Sequence, residues 1–233
     1  ILTRNLKQNW FSVLFYKFVG GLICLGAGLS VGREGPSVQM GACVGEGVSE
    51  KTNKLDNEKK YLITSGASAG LSAAFNAPIS GVMFSLEETH KNFSPFVLVS
   101  AMIASLMADF VSKNFFGLTP SLYFERLNSL PLKYYWGLII LGIIIGTSGV
   151  IFSKGLLKTQ DLYKKLNMSV EVKCIIPFIM TGILALIFPI VLGGGHELIM
   201  SLKDGQFTLL FLFILIVVKF LFTFICFGSG SPG

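Results

Sequence analysis

The sequence predicts an all-α protein, a polytopic transmembrane helical bundle in which some helices are broken into half-helices, and three observations carry that prediction. Charge is scarce: of 233 residues, 52% are hydrophobic and 14% are Asp, Glu, Lys or Arg, against roughly 25% charged in soluble domains, and mean hydropathy is +0.68. Several charge-free stretches reach the roughly 20 residues that a helix needs to cross a hydrocarbon core. The longest of them, residues 61–86, carries Asn76-Ala77-Pro78 near its centre, where the proline pushes Ala77 out of the helical region. A composition with 21 Phe and 26 Gly suits helices packed in lipid. It excludes a secreted disulfide scaffold, a disordered tail and an ordinary cytosolic enzyme.

Taken in order, residues 8–32 form an apolar stretch interrupted by Lys17. Residues 61–86 read as two short helices meeting at Ala77, and residues 92–112 as a span interrupted by Asp109. Residues 134–153, between Lys133 and Lys154, and residues 174–195, between Lys173 and His196, each read as a plain span or most of one. The last stretch, 205–233, contains Lys219. The polar connections 50–60, 87–92, 125–133 and 154–173 mix both signs of charge, as solvated loops and helix ends do. The last of them extends the preceding helix, because Leu156, Leu157, Gln160, Asp161, Tyr163 and Lys164 segregate to different helical faces. Glycines four apart at Gly28/Gly32, Gly41/Gly45, Gly66/Gly70 and Gly142/Gly146 permit close helix contact. Broken helices survive at membrane depth only beside protein or a water-filled cavity, so the break at Ala77 points to a transport pathway.

The net charge of +6 comes from basic residues in short segments between apolar runs. That pattern is loop anchoring at a membrane surface, not a nucleic-acid stripe. Cys24, Cys43, Cys174 and Cys226 lie in apolar sequence without metal or disulfide spacing and read as packing thiols. With two histidines and no nucleophile–base arrangement, no catalytic residue, metal ligand or cofactor site is expected, so the chain reads as no enzyme. Beginning at Ile1 and stopping inside a Gly/Ser/Pro motif, it reads as a fragment of a longer membrane protein.

Chemistry concentrates in Gly32-Arg33-Glu34-Gly35-Pro36, where charge appears between apolar sequence and a small-residue helix. Pro36 suits a first helical turn, since its missing N–H would be unbonded there anyway. Free N–H groups at such a start, with an effective charge of about +0.5, make an anion site without any cationic ligand. A carboxylate tethered there, Glu34, can occupy the place of a mobile anion and leave when protonated. The same residue also suits a simple cap of its own helix or a pair with Arg33 at an interfacial loop.

The segment resembles the GREGP signature of the voltage-gated chloride channel (CLC) family of channels and proton-coupled exchangers. Residues 66–88, with Ala73-Ala74-Phe75-Asn76-Ala77-Pro78 and Glu87-Glu88, resemble that family's GAAAG…AAFNAP…EE block. Gly193-Gly194-Gly195-His196 resembles its GGG segment, and Gly228-Ser229-Gly230-Ser231-Pro232-Gly233 its GSGxPGG segment. The resemblance implies an inverted-repeat fold, with residues 1–117 ending the first repeat and residues 131–233 starting the second. It implies a chloride site formed by backbone amides at two helix ends, in the segments Gly32, Arg33, Glu34, Gly35 and Pro36, and Gly228, Ser229, Gly230, Ser231 and Pro232.

By the same resemblance Glu34 is the external gate and proton acceptor, Glu88 the internal proton-transfer residue, and Glu87 a supporting polar group. On the residues alone, Glu87 and Glu88 equally suit a solvated helix end. Lys17 matches a buried basic position near the anion path, whereas Lys219 reads as structural pairing or snorkelling, His196 as a cap or turn, and Asp109 has no assignable role. The function so implied is chloride/proton antiport by a multi-pass protein whose partners are chloride, protons, the lipid bilayer and a second copy in a homodimer. A passive chloride channel is the alternative within the family; an intramembrane enzyme or a non-transporting helical module is the alternative outside it.

Overall fold

The computed structural model describes residues 9–90, 94–117, 131–204 and 207–230. Residues 91–92 and 125–130 of the expected connections, and Ser231, Pro232 and Gly233 of the final motif, lie outside the described residues. Among the described residues the regular structure is helical: α1 Trp10–Gly26, α2 Glu34–Lys51, α3 Asp56–Phe75, α4 Pro78–Phe84 running into a π-turn Ser85–His90, α5 Pro95–Phe116, α6 Tyr135–Lys165, α7 Val170–Ile187, α8 His196–Asp204 and α9 Leu209–Gly228. Four segments among the described residues, Pro95–Phe116, Leu132–Lys165, Val170–Ile187 and Leu209–Gly228, are long and apolar enough to cross a membrane.

The described residues gather into two compact units. The first runs to Ile23 and resumes from Gly32 through α5; the second takes Cys24–Val31 and α6 through α9. Cys24–Val31 therefore packs apart from the rest of the first 117 residues, because Leu29 and Val31 share a buried apolar cluster with Val191, Phe222 and Cys226.

In the first unit α2 and α3 touch backbone to backbone. A methyl group added at Gly41 would collide with the Gly66 carbonyl, one at Gly45 with the Leu62 carbonyl, and one at Gly70 with the Ser37 carbonyl. Two of the four predicted glycine pairs thus form one interface. Gly142 and Gly146 do not serve this way, since nothing lies within 4 Å of where their side chains would be. Hydroxyls tie α3 to α5: Ser68 Oγ lies 2.6 Å from Ser105 Oγ, and Ser72 donates to the Ser105 carbonyl at 2.9 Å.

The predicted break is present. Asn76, at φ +53°, ends α3 by donating its N–H to the Ser72 carbonyl, and Pro78 opens α4. The first of the two helices is not short, however. It has 20 residues and starts at Asp56, where Glu58 accepts the Leu55 N–H at 3.3 Å, so residues 56–60 form a helical turn and not a loop. That turn supplies Lys59, whose ammonium lies 3.0 Å from the buried Glu46 carboxylate and 3.7 Å from Glu50. The hydrogen bond to Glu46 is the largest cause holding the Lys59 pKa above its ordinary value.

In the second unit aromatic rings make the contact. The Phe152 ring of α6 sits 5.1 Å from both Phe220 and Phe224 of α9, centroid to centroid. Gly155 gives Phe224 room, and Gly228 gives Thr159 and Tyr163 room. The α6 helix extends through the segregated faces of Leu156 to Lys164 and ends at Lys165, so only the first part of the expected 154–173 connection continues it, and residues 170–173 already belong to α7. The α7 helix departs from the expected 174–195: it begins at Val170 and ends at Ile187. Pro189 then opens a 3-10 turn, Pro189–Val191, and Gly193 and Gly195 adopt φ +70° and +95°, a left-handed backbone that other residues resist. His196 begins α8.

Candidate functional site

The approach to Glu34 begins at the end of α1. Gly28, at φ +84°, donates its N–H to the Leu25 carbonyl, and Leu29 donates to the Cys24 carbonyl. This pair of bonds is a Schellman closure, with Leu29 and Cys24 in the apolar contact that usually accompanies it. The following strap is fully packed: Leu29, Ser30 and Val31 are buried, and Ser30 Oγ lies 2.8 Å from Thr223 Oγ1 of α9.

Beyond Gly32 the chain turns into α2 at Arg33, which has no side-chain capping bond. Ser37 donates both its N–H, at 3.1 Å, and its hydroxyl, at 2.7 Å, to the Arg33 carbonyl. The N–H groups of Glu34 and Gly35 precede the first intrahelical donor, the Ser37 N–H, and so point out of the helix start. Pro36, third in α2, has no N–H and is buried. Glu34 is exposed, and its carboxylate folds back over Gly32, where an added Cβ would clash with Oε2. The predicted segment from Gly32 to Pro36 is thus one helix start carrying outward N–H groups, an exposed acid and an exposed guanidinium. A cavity of about 980 Å³ in the same unit is lined by Arg33, Ser37, Met40, Ala73, Asn76 and Phe115 among others. Its lining along α5 is apolar apart from Ser112, and Arg33, Ser37 and Asn76 are the polar groups opposite.

Glu87 and Glu88 stand on a different element, the π-turn after α4, and both are exposed while their neighbours Ser85 and Leu86 are buried. A π-turn widens the helix by one residue and is frequent at functional sites. Lys17 lies along α1 and is half-buried. At the end of α9, Ser229 is buried with its hydroxyl donating to the Cys226 carbonyl at 2.8 Å, and Gly230 takes φ +79°. Of the final motif, Gly228, Ser229 and Gly230 are therefore placed; Ser231 and Pro232 lie outside the described residues.

Lys219 does not snorkel. Its ammonium donates to the Val191 carbonyl at 2.7 Å and the Gly193 carbonyl at 2.6 Å. Asp109 is buried and accepts from Lys113 at 2.6 Å, one helical turn on, while its other oxygen has no hydrogen-bond partner among the described residues. Cys24, Cys43 and Cys226 are buried free thiols and Cys174 is half-buried. No cluster of His, Cys, Asp and Glu suited to a metal occurs among the described residues. Sequence reasoning missed the Ser30–Thr223 contact and the Lys219 clamp. A polar side chain one turn from Lys219 on an apolar helix was the available signal for the first.

A family model described as "Voltage gated chloride channel" matches residues 1–233. The chain is 36% identical over 232 residues to an H(+)/Cl(−) exchange transporter ClcA of Salmonella paratyphi A, and likewise to one of Salmonella typhi. Each match covers 97% of this chain and 49% of the relative, so the chain spans about half the length of the curated relatives it matches. Among solved structures, a slow cyanobacterial Cl−/H+ antiporter superposes with a TM-score of 0.91 at 32% identity, covering 100% of this chain and 55% of that one. A CLC-type fluoride/proton antiporter shares the fold, with a TM-score of 0.75 at 24% identity over 95% of this chain and 55% of that one. The apolar helices are those of an integral membrane protein, and the chain belongs to the voltage-gated chloride channel family.

Proposed function

We propose that the whole protein containing this chain exchanges chloride for protons across a membrane, with Glu34 as the gating and proton-accepting carboxylate and Glu88 as the internal proton-transfer carboxylate. One observation carries the reading: Glu34 is the first residue of a helix whose leading N–H groups point outward, and its carboxylate folds back over Gly32 at that same end. An ionised carboxylate and a chloride ion are rivals for a helix start of this kind. Protonation removes the charge that holds the side chain there, so anion entry and proton uptake become alternatives at one position. Chloride held by several weak N–H contacts recovers part of its hydration without becoming trapped.

Gly32, Arg33, Gly35 and Pro36 shape that start, and Gly228, Ser229, Gly230, Ser231 and Pro232 are the matching anion-binding residues of the other half by resemblance. Lys17 supports the anion path electrostatically, and Glu87 supports Glu88. Exposure of Glu88 on a π-turn suits a group that must exchange protons with water. No cofactor is required by this chemistry, and the protein is a transporter, not an enzyme; its relatives are named as exchange transporters. By resemblance the whole protein works as a homodimer.

The test is the full-length protein in liposomes, with a chloride gradient imposed and proton movement read by a pH dye. The parent is expected to pump protons against their gradient, Glu34→Gln to move chloride without protons, and Glu88→Val to lose pumping while keeping chloride flux. Chloride flux without pumping in the parent would establish the passive channel instead. Pumping that survives Glu88→Val removes Glu88 from the relay.

A further inference from the structure

We infer that the polar end of α6 is a docking surface for the headgroups of anionic phospholipids, carried by Lys154, Lys158 and Lys165. The surface belongs to a single helix of the second unit and does not depend on the gating reading of Glu34. At about 100° per residue, spacings of four and seven place the three lysines within an arc of about 40°, and all three are exposed. Phe152 and Tyr163, which face α9, lie about 120° or more around the helix from that arc. Toward the other end of α6 the arc runs into Ile140, Ile143 and Ile151, which are exposed as well. The lysines therefore continue a stripe of apolar side chains that suits lipid tails.

The far end of α6 sets their depth. A 3-10 turn, Leu132–Tyr134, leads into the helix, and Lys133, Tyr134, Tyr135 and Trp136 are all exposed there, with the Lys133 ammonium 4.9 Å from the centre of the Tyr134 ring. Exposed Trp and Tyr beside a lysine belong at a membrane–water interface. From Trp136 to Lys154 the helix rises about 27 Å, close to the hydrocarbon thickness of about 30 Å. With the aromatic end at one interface, Lys154 reaches the other, and Lys158 stands about 6 Å further out, among the phosphates. Lys165 follows about 16 Å beyond Lys154, within roughly a Debye length of that layer.

Acidic side chains do not cancel the arc. Asp161 is taken by Lys164 at 3.1 Å, and Glu171 lies past the end of α6, in the first turn of α7. Lys154, Lys158 and Lys165 make no ion pair among the described residues. Spread over about 16 Å of helix axis, they cannot converge on one free phosphate ion, but each can meet a different headgroup. A soluble acidic protein would have to reach Lys154 and Lys158 through the headgroup layer. Lysine stems lie along apolar surface while the ammonium seeks the phosphate, and each lysine beside an anionic leaflet strengthens the contact about fivefold.

The experiment places the full-length protein in phosphatidylcholine vesicles that contain a trace of photoactivatable phosphatidylglycerol or, in parallel, of photoactivatable phosphatidylcholine. Crosslinks to the segment 154–165 are mapped by mass spectrometry. The parent is expected to give at least about threefold more crosslinking there from phosphatidylglycerol than from phosphatidylcholine. Lys154→Gln/Lys158→Gln/Lys165→Gln is expected to bring that ratio close to one, the corresponding triple arginine variant to retain it, and Lys133→Gln to leave it unchanged. Salt at about 1 M, where the Debye length is about 3 Å, is expected to lower the parent ratio.

A ratio near one in the parent overturns the inference, and so does a ratio that survives in the triple glutamine variant, since the preference then arises elsewhere. An equal fall in Lys133→Gln or in the arginine variant also overturns it, because net charge or side-chain shape then decides. Absence of crosslinks at 154–165 from either lipid has the same force, as the rest of the protein then covers the arc. Loss of the ratio on adding inorganic phosphate at constant ionic strength reassigns the lysines to a soluble anion and rejects the membrane. If the triple glutamine variant does not assemble, Lys158→Gln alone carries the test, with the ratio expected to fall about twofold or more and an unchanged ratio counting against the surface.

Discussion

The two units hold their helices together by opposite means. In the first, α2 and α3 approach until glycine faces carbonyl, and buried serine hydroxyls join α3 to α5. In the second, α6 and α9 are separated by phenylalanine rings, and of the residues of α6 only Tyr163 is buried. Lipid tails are as apolar as leucine, so membrane helices associate by close packing and interhelical hydrogen bonds more than by hydrophobic burial. The first unit follows that rule at its tightest. Its α2 and α3 are not among the four helices apolar enough to cross a membrane on composition, yet α2 begins with Glu34. The difference teaches that small-residue helices of low hydropathy associate backbone to backbone, whereas the strongly apolar α6 and α9 meet through large side chains.

The sharpest way to break this comparison is to place a side chain in each interface. Gly41→Leu would drive atoms into the Gly66 carbonyl, a backbone atom that cannot rotate away. A loss of about 3 kcal/mol or more is expected, at the upper end for overpacking, read as loss of the monodisperse peak or a lower melting temperature of the full-length protein in detergent. Gly142→Leu, on an open face of α6, is expected to stay within about 0.5 kcal/mol of the parent. Equal damage at both positions would dissolve the distinction between the units.

A smaller effect comes from the Glu46–Lys59 pair, buried on the acid side and partly exposed on the lysine side. Glu46→Ala is expected to cost about 1–2 kcal/mol, discounted from a fully buried pair because water still reaches the lysine. The pair also has a pH signature. Since the folded-state pKa of Lys59 is raised above 10.5, its contribution is complete below that pH and is lost as pH climbs through the folded value. Melting temperature should therefore fall more steeply above pH 10.5 in the parent than in Lys59→Met. The smallest expected change is Ser105→Ala, about 1 kcal/mol for losing the bond to Ser68, and the matching loss should be absent for Ser148→Ala on the exposed face of α6.

How much of this was legible in the sequence depended on which interaction set each feature. Hydropathy located the apolar helices because their exposure to lipid is a property of residue type alone. Pro78 and Asn76 marked the helix break because their backbone preferences are local. The start of α2 at Glu34 followed from Pro36 and the flanking glycines for the same reason. The end of α7 was misjudged, because a run of apolar residues conceals the stop that Pro189 and the positive φ of Gly193 impose. The two carbonyls held by Lys219 were illegible, since they lie 26 and 28 residues away along the chain. Nor could spacing separate the glycine pairs that touch from Gly142 and Gly146, because GxxxG states that contact is permitted and not with what.

The length of α6 has a mechanical consequence. Its 31 residues rise about 46 Å at 1.5 Å each, against a hydrocarbon thickness of about 30 Å. The charge-free portion, residues 135–153, accounts for about 28 Å of that rise, and the remainder carries Lys154, Lys158, Asp161, Lys164 and Lys165. The helix therefore works as a depth gauge. Sinking it would drag ammonium groups into oil and raising it would wet isoleucines, so its vertical position has a single minimum. Four lysines on the projecting end add about 1 kcal/mol each where the adjoining leaflet is anionic, which ties the resting height of the second unit to the lipid composition of the membrane.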